Sequence, residues 1–269
     1  MLLSIRHTTT YSYDAPVTAA LQQVRLVPRS NTLQTVQDWQ LTIEGGVEEL
    51  HFDDQFGNDT RLVSLDDESQ TLRIIAQGQV EVHETNGVLG KVYGKAPLWL
   101  FKRQTPLTTP GKGVASLVKK QKATLAKPDQ QLSALHALSA SIREKVAYEI
   151  NTTNTRTTAE DALAGGQGVC QDHAHIFCAA ARLAGIPARY VSGYLKLDNT
   201  VDQSASHAWA EGHVDGLGWV GFDISNGISP DERYVRIGHG MDFRDCAPVL
   251  GMRKGGAGES MVVSLQVQQ

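Results

Sequence analysis

Gly166-Gln167-Gly168-Val169-Cys170-Gln171-Asp172-His173-Ala174-His175 places a cysteine where a glycine-flanked loop turns into a helix. Downstream, Ile176, Phe177, Ala179, Ala180 and Leu183 give that helix a buried character, Gly185 ends it and Pro187 keeps it from continuing. A thiol in the first turn of a helix lies beside unpaired backbone N–H groups and the positive end of the helix dipole, which favours the thiolate. The same amides can hold the oxyanion that forms when a thiolate attacks a carbonyl carbon. Cys170 is therefore the candidate nucleophile, and the residues that follow read as its partners.

A thiolate of this kind works with an imidazole that holds the proton and later hands it to the leaving amine. His207, in Ser206-His207-Ala208-Trp209-Ala210-Glu211, fills that role, and Asp215-Gly216-Leu217-Gly218 marks a hairpin joining its strand to Trp219-Val220-Gly221-Phe222-Asp223. A three-residue loop at Val214 to Gly216 sets His207 opposite Asp223, so the carboxylate can orient the second imidazole nitrogen; a slip of one residue puts the acid on the wrong face. Cys170, His207 and Asp223 form a nucleophile, base and orienter. Gln167, Gln171, Trp209 and Asn226 lie beside them in sequence, as second oxyanion donors, cleft walls or structural residues. Cys178 and Cys246 read as packing cysteines. His173 and His175 are two apart on a helix, so they cannot chelate one ion from one face, and no clustered ligand spacing marks a metal site, although His207, His213, Cys170 and Asp223 together have zinc-compatible chemistry. No metal or other cofactor is expected.

The 269 residues are enough for one large domain or two ordinary ones. A formal charge of −4, a pI near 6.1 and no run of lysines or arginines argue against nucleic-acid or membrane-surface partners. Met1-Leu2-Leu3-Ser4-Ile5-Arg6-His7 lacks a signal-peptide core, and no apolar run approaches the roughly 18 residues that span a bilayer. A cytoplasmic location is expected. The three cysteines form neither a disulfide framework nor a C-x-x-C knuckle, which leaves one free to be a nucleophile.

Residues 1–87 read as a β-rich domain: Val24-Arg25-Leu26-Val27, Trp39-Gln40-Leu41-Thr42-Ile43, Leu50-His51-Phe52 and Arg61-Leu62-Val63-Ser64-Leu65 are strands separated by turn chemistry, in an antiparallel sandwich. Gly78 interrupts the long run from Leu72 to His83 and predicts a bulge or bend. No cluster of titratable groups converges in this half, which reads as scaffold. Residues 88–110 read as a linker punctuated by Gly90, Gly94, Pro97, Pro106 and Pro110. Residues 111–269 form the second domain, with helices carrying Val114, Leu117 and Val118, then Leu132, Leu135, Leu138, Ile142 and Val146 behind Pro128, and a short helix capped by Thr158. His136 is placed on a solvated face. Arg189 to Leu195, Ser206 to Val214, Trp219 to Ile224 and Met261 to Val267 are strands, the last after a flexible loop Gly255-Gly256-Ala257-Gly258.

Gly168-Val169-Cys170-Gln171-Asp172, Ala184-Gly185-Ile186-Pro187-Ala188-Arg189-Tyr190-Val191-Ser192-Gly193-Tyr194, Ser206-His207-Ala208-Trp209-Ala210-Glu211 and Gly218-Trp219-Val220-Gly221-Phe222-Asp223 together resemble the bacterial transglutaminase-like proteins. The amino-terminal half resembles the β-rich domain that precedes this core, through Tyr11-Ser12-Tyr13-Asp14-Ala15-Pro16-Val17, Arg25-Leu26-Val27-Pro28-Arg29 and Asp54-Gln55-Phe56-Gly57-Asn58. The resemblance implies an α+β fold: an antiparallel β-sandwich followed by a papain-type core in which a nucleophile helix packs on an antiparallel sheet. It also implies a Cys-His-Asp triad at Cys170, His207 and Asp223. This sequence departs from the family's pattern at Ile224-Ser225-Asn226, where Pro-Thr-Asn is common, at His173, where an aromatic is common, and at Gly238-His239-Gly240-Met241-Asp242-Phe243, a loose version of a Gly-Arg-Asp-aromatic segment.

The expected activity is cysteine-dependent hydrolysis of amide or peptide bonds in a peptide or protein substrate, through a thioester. Acyl transfer to an amine, as in a transglutaminase, is the alternative, and a non-catalytic binding module that retains the fold is the rival from another class. Lys196 to Ala205 and Arg233 to Ala247 read as specificity loops.

Overall fold

The computed structural model describes residues 1–15, 17, 19–66, 69–91, 95–254 and 258–269. Pro16, Gly94 and the stretch Gly255-Gly256-Ala257, each read above from sequence, lie outside the described residues. In chain order the strands of the first half are β1 (Leu2–Tyr13), β2 (Ala19–Val24), β3 (Gln34–Glu44), β4 (Gly46–Asp53), β5 (Asp59–Leu65), β6 (Thr71–Val82) and β7 (Val88–Gly90). Helices α1 (Lys112–Leu125) and α2 (Gln131–Lys145) follow, then β8 (Ala147–Tyr148), α3 (Ala159–Gly165), β9 (Gln167–Gly168) and α4 (Cys170–Leu183). The chain closes with β10 (Ala188–Leu195), β11 (Asp202–Gln203), β12 (His207–Val214), β13 (Gly218–Phe222), β14 (Tyr234–Gly240), α5 (Phe243–Cys246), β15 (Val249–Lys254) and β16 (Glu259–Gln268). Among the described residues no helix is long and apolar enough to cross a membrane.

Two antiparallel sheets, ordered β11-β16-β1-β6-β3 and β15-β2-β5-β4, make the sandwich; a third, β14-β10-β12-β13-β7, carries the second half. The fold is the α+β arrangement expected. Alternation along β1 explains how the two halves join, because side chains two residues apart share a face of a strand. Tyr11 and Tyr13 at one end of that face pack with Val24, Leu26, Val63 and Leu72 inside the sandwich. Leu3 and Ile5 at the other end pack with Val80 and Val82 against Tyr194, Val235 and Ile237 of the third sheet. Between them, buried His7 hydrogen-bonds the Tyr194 hydroxyl at 2.9 Å.

The boundaries drawn at 87 and 110 are crossed by strand pairing and by side-chain contacts. Strand β16 pairs along β1 from Ser4↔Gln268 to Tyr13↔Glu259, and β15 pairs with β2, so the carboxyl terminus completes the amino-terminal sandwich. The segment read as a linker is packed: β7 pairs with β13, and Phe101 and Leu107 in short 3-10 turns are buried. Nor is the amino-terminal half free of clustered charge. Arg25 is buried against Asp54 at 3.1 Å, and Asp59 faces Arg29, His51 and Arg61. Asp54 also accepts from the backbone N–H groups of Phe56 and Asn58, and Asn58 pairs with the backbone of His239 through its amide nitrogen at 2.8 Å and its oxygen at 3.0 Å. The Asp54-to-Asn58 turn thus clamps the sandwich onto β14.

The bulge expected at Gly78 falls on the neighbouring strand, with the register shift between Val36 and Asp38 of β3. A Cβ at position 78 would lie 2.3 Å from the Asp38 carbonyl oxygen, so the glycine makes room for its neighbour's bulge. Helices α1 and α2 bury the apolar positions read from their periodicity, and His136 is exposed with its ring against Phe222, as placed. Thr158 caps α3 by accepting from the Asp161 N–H, while Glu160 accepts from the N–H groups of Gly111, Gly113 and Val114, capping α1 from outside.

Candidate active site

The local chain explains how Cys170 comes to begin a helix. Gly166 ends α3 in the left-handed region at φ +68, where a glycine carries no steric penalty. Gln167 and Gly168 then run parallel to Ala147 and Tyr148. In the first turn of α4, Asp172 reaches back to accept from the Val169 N–H at 2.8 Å and from the Thr153 hydroxyl at 2.6 Å. A Cβ on Gly168 would press on Asp172 at 2.8 Å, so the glycine and the capping acid are one device. Behind the first turn, Ala174, Ile176, Phe177 and Cys178 are fully buried in the core that α4 shares with Ala208 and Ala210 of β12.

Cys170 is part-exposed, whereas Cys178 and Cys246 are buried. Burial pushes the Cys178 thiol up to about 11, with the Arg182 charge only partly opposing it, and raises that of Cys246 well above the ordinary range.

His207 opens β12 and donates from Nε2 to Asp223 Oδ2 at 2.7 Å, which leaves Nδ1 for the side facing Cys170. Burial pulls its pKa down. Hydrogen bonds and charge from Asp223 and Cys170 outweigh that pull and raise the pKa to about 10. The raised pKa favours the imidazolium form of His207 at neutral pH.

Asp223 is fully buried and acceptor to several donors: besides His207, the Tyr234 hydroxyl at 2.7 Å, the Asn226 side-chain amide at 2.7 Å and the Asn226 N–H at 3.2 Å. Burial raises its pKa, but these bonds, led by the one from His207, bring it below the ordinary carboxylate value.

The hairpin register differs from expectation. Pairing runs from Val214↔Gly218 to Ala210↔Phe222, with the loop at residues 215–217, so the next step of the ladder points Asp223 at Trp209, two residues from His207. The shift is even, which keeps the acid on the same face, and the contact with His207 is diagonal. Beyond β13 the chain turns at once, with Asp223 bridged to Ile228, and this turn aims the carboxylate back.

Of the four residues expected beside the triad, Asn226 lines the cleft while holding Asp223. Trp209 is buried, its ring stacked on His207 at 6.3 Å and edge-on to Tyr234, so it supports the imidazole and forms no wall. Gln167 is exposed and Gln171 half-buried, and neither is among the residues lining the cleft. His173 and Ser225, two departures from the family pattern, meet each other. His173 donates from Nε2 to the Val146 carbonyl and accepts the Ser225 hydroxyl at Nδ1, both at 2.9 Å, tying the loop that carries the acid to the nucleophile helix. Among the described residues no group of three or more His, Cys, Asp and Glu side chains is arranged to hold a metal ion.

A cleft of about 620 Å³ opens over Cys170 and His207. Tyr148 and Ile150 form one side, and Leu195, Leu197 and the chain from Asp202 to Ser206 form the other. That second wall is held by the sandwich, since Asp202 and Gln203 pair with Gln266 and Leu265 of β16. Arg233 to Ala247, read as a specificity loop, is instead strand β14 and helix α5. Tyr148 and Tyr234 are the site residues that the sequence reading missed. Each belongs to a short alternating run, Ala147-Tyr148-Glu149-Ile150 and Tyr234-Val235-Arg236-Ile237, the period-2 signal that could have marked them as strand residues with a defined face.

The chain matches the Transglutaminase-like superfamily over residues 119–224 and the Bacterial transglutaminase-like N-terminal region over residues 3–81. An uncharacterized protein of Mycobacterium leprae is 30% identical over 278 residues, covering 98% of each chain, and one of Mycobacterium tuberculosis is 27% identical, covering 92% of this chain and 86% of its own. A crystal structure from Cytophaga hutchinsonii, of a protein proposed to be a cysteine protease, superposes with a TM-score of 0.73 at 21% identity, covering 100% of this chain and 98% of its own. At that identity the likeness speaks for the fold. With the sandwich, the nucleophile helix and the sheet all accounted for, the chain belongs to the transglutaminase-like superfamily, with the bacterial transglutaminase-like domain at its amino terminus.

Proposed function

We propose that the protein hydrolyses amide bonds of a peptide or protein substrate through a thioester on Cys170. The observation that carries this reading is His207, held by Asp223 at 2.7 Å and raised to about 10 by its two partners at the floor of an open cleft. The Cys170 thiolate attacks the carbonyl carbon, forming a C–S bond and an oxyanion. The His207 imidazolium gives its proton to the nitrogen as the C–N bond breaks, and the amine leaves. Neutral His207 then takes a proton from water as its oxygen attacks the thioester; the C–S bond breaks, the acid leaves and the thiolate–imidazolium pair is restored. Asp223 holds the ring and stabilises its charge throughout. The mixed walls of the cleft, apolar at Ile150, Leu195 and Leu197 and polar from Asp202 to Ser206, suit the side chains and backbone of a polypeptide.

Iodoacetamide near neutral pH should label Cys170 much faster than a free thiol, with Cys178 and Cys246 protected by burial, and His207→Asn should remove the advantage. Equal rates would sink the proposal. For the acceptor, glutamine-containing peptides incubated with and without a primary amine should yield products whose masses do not depend on the amine; an amine adduct would make the protein a transferase.

A further inference from the structure

The attack on a carbonyl leaves an oxyanion that needs more than one donor. The first turn of α4 supplies the Cys170 N–H, and neither of the glutamines considered from sequence lines the cleft. Another side chain is brought there by strand pairing. Tyr148 lies opposite Gly168 in the parallel β8–β9 pair, two residues before the nucleophile, and the Glu149 N–H fixes that register by donating to the Gly168 carbonyl at 2.9 Å. Its ring lies over the first turn of α4, stacked on His173 at 6.3 Å and 28°, and it lines the cleft with Cys170, His207 and Asn226.

We propose that the Tyr148 hydroxyl is the second oxyanion donor, hydrogen-bonding the substrate carbonyl oxygen as Cys170 attacks. The assignment rests on the reading of Cys170 as nucleophile. Tyr148 is 54% exposed, and among the described residues its hydroxyl makes no hydrogen bond, so it can turn to substrate. Burial, with the charges of Cys170 and Asp223 behind it, raises the phenol to about 12, so it remains a protonated donor across the working range. A donor bound to a developing charge lowers the barrier more than it tightens substrate binding.

The test is Tyr148→Phe, which keeps the ring, the stack on His173 and the apolar wall and removes only the hydroxyl. With p-nitrophenyl acetate as the probe, kcat for acylation should fall about a hundredfold while KM changes less than about twofold. Alkylation by iodoacetamide displaces iodide and creates no oxyanion, so its rate at Cys170 should be unchanged. Acylation within about threefold of the parent overturns the assignment, as does a parallel fall in alkylation, which would make Tyr148 a support for the thiolate. A parent protein alkylated at Cys170 no faster than a free thiol overturns the nucleophile reading itself, and the Tyr148 assignment with it.

Discussion

His207 and Glu211 stand four residues apart on one face of β12, and each is an ionisable group held by opposite charge, Glu211 fully buried and His207 part-buried at the cleft. Glu211 lies between Arg189 and Arg236, the latter at 2.9 Å, with the Arg189 guanidinium over the Trp219 ring at 3.9 Å. Burial pushes the Glu211 carboxyl up and the two arginines more than offset it; burial likewise brings Arg189 down to about 10. Perturbed ionisation is therefore common to both ends of the strand. What separates them is that His207 has a thiol on its free side and a cleft above it, whereas Glu211 is buried with both carboxylate oxygens accepting from arginines. The first arrangement can change its protonation state in a reaction; the second can only hold three strands together.

Each end should fail in its own way. Cys170→Ala and His207→Asn should each reduce acylation by p-nitrophenyl acetate on the order of a thousandfold or more, and for Cys170→Ala the urea midpoint should be nearly unmoved. Glu211→Ala should do the reverse: the buried Arg189 guanidinium and the part-buried Arg236 lose their partner, costing about 3–5 kcal/mol in urea unfolding, while the molecules still folded alkylate at the parent rate. A large activity loss without a stability loss at position 211 would break the distinction.

The pH dependence sharpens it further. The folded state holds a proton on His207 up to about 10, against an unfolded value of 6.5, so between these pH values it binds the proton and the unfolded chain does not. Stability from this group is complete below pH 6.5 and is lost as pH rises through about 10. His207→Asn should flatten that part of a urea-midpoint profile, and a profile unchanged by the substitution would contradict the raised pKa. The smallest effect is expected at His173→Phe, which removes the bridge from Ser225 to Val146 and keeps an aromatic ring: a loss of a few-fold in acylation and about 1 kcal/mol or less in stability. A loss as large as that of His207→Asn would mean that the acid loop has no other restraint, contrary to the bonds it receives from Asn226 and Tyr234.

Much of the fold and the core of the candidate site can be read along the chain. Cys170 at a helix start follows from Gly166, Gly168 and the apolar run after it, which act within a few residues. The face shared by His207 and the acid follows from strand parity, which survived an even error in register. That error arose at the turn: Gly216 and Gly218 both take positive φ, at +85 and +86, and local sequence does not say which glycine ends the loop. Of the roles open to Trp209 from its place in sequence the structural one holds: it shares the strand face of His207, as alternation requires, but lies two residues further along, buried against the imidazole and away from the cleft.

By itself, then, the sequence determined the elements, the place of Cys170 at a helix terminus and the face on which His207 and Asp223 meet, because each depends on short-range backbone preference and periodicity. Only the tertiary structure decided that β15 and β16 return to complete the amino-terminal sandwich, that β16 holds one wall of the cleft through Asp202 and Gln203, and that Tyr148 and Tyr234 arrive from separate strands at the nucleophile and the acid. Those pairings join residues far apart in the chain, where hydrogen-bonding edges and apolar faces find each other in space and leave no local mark on the residues that make them.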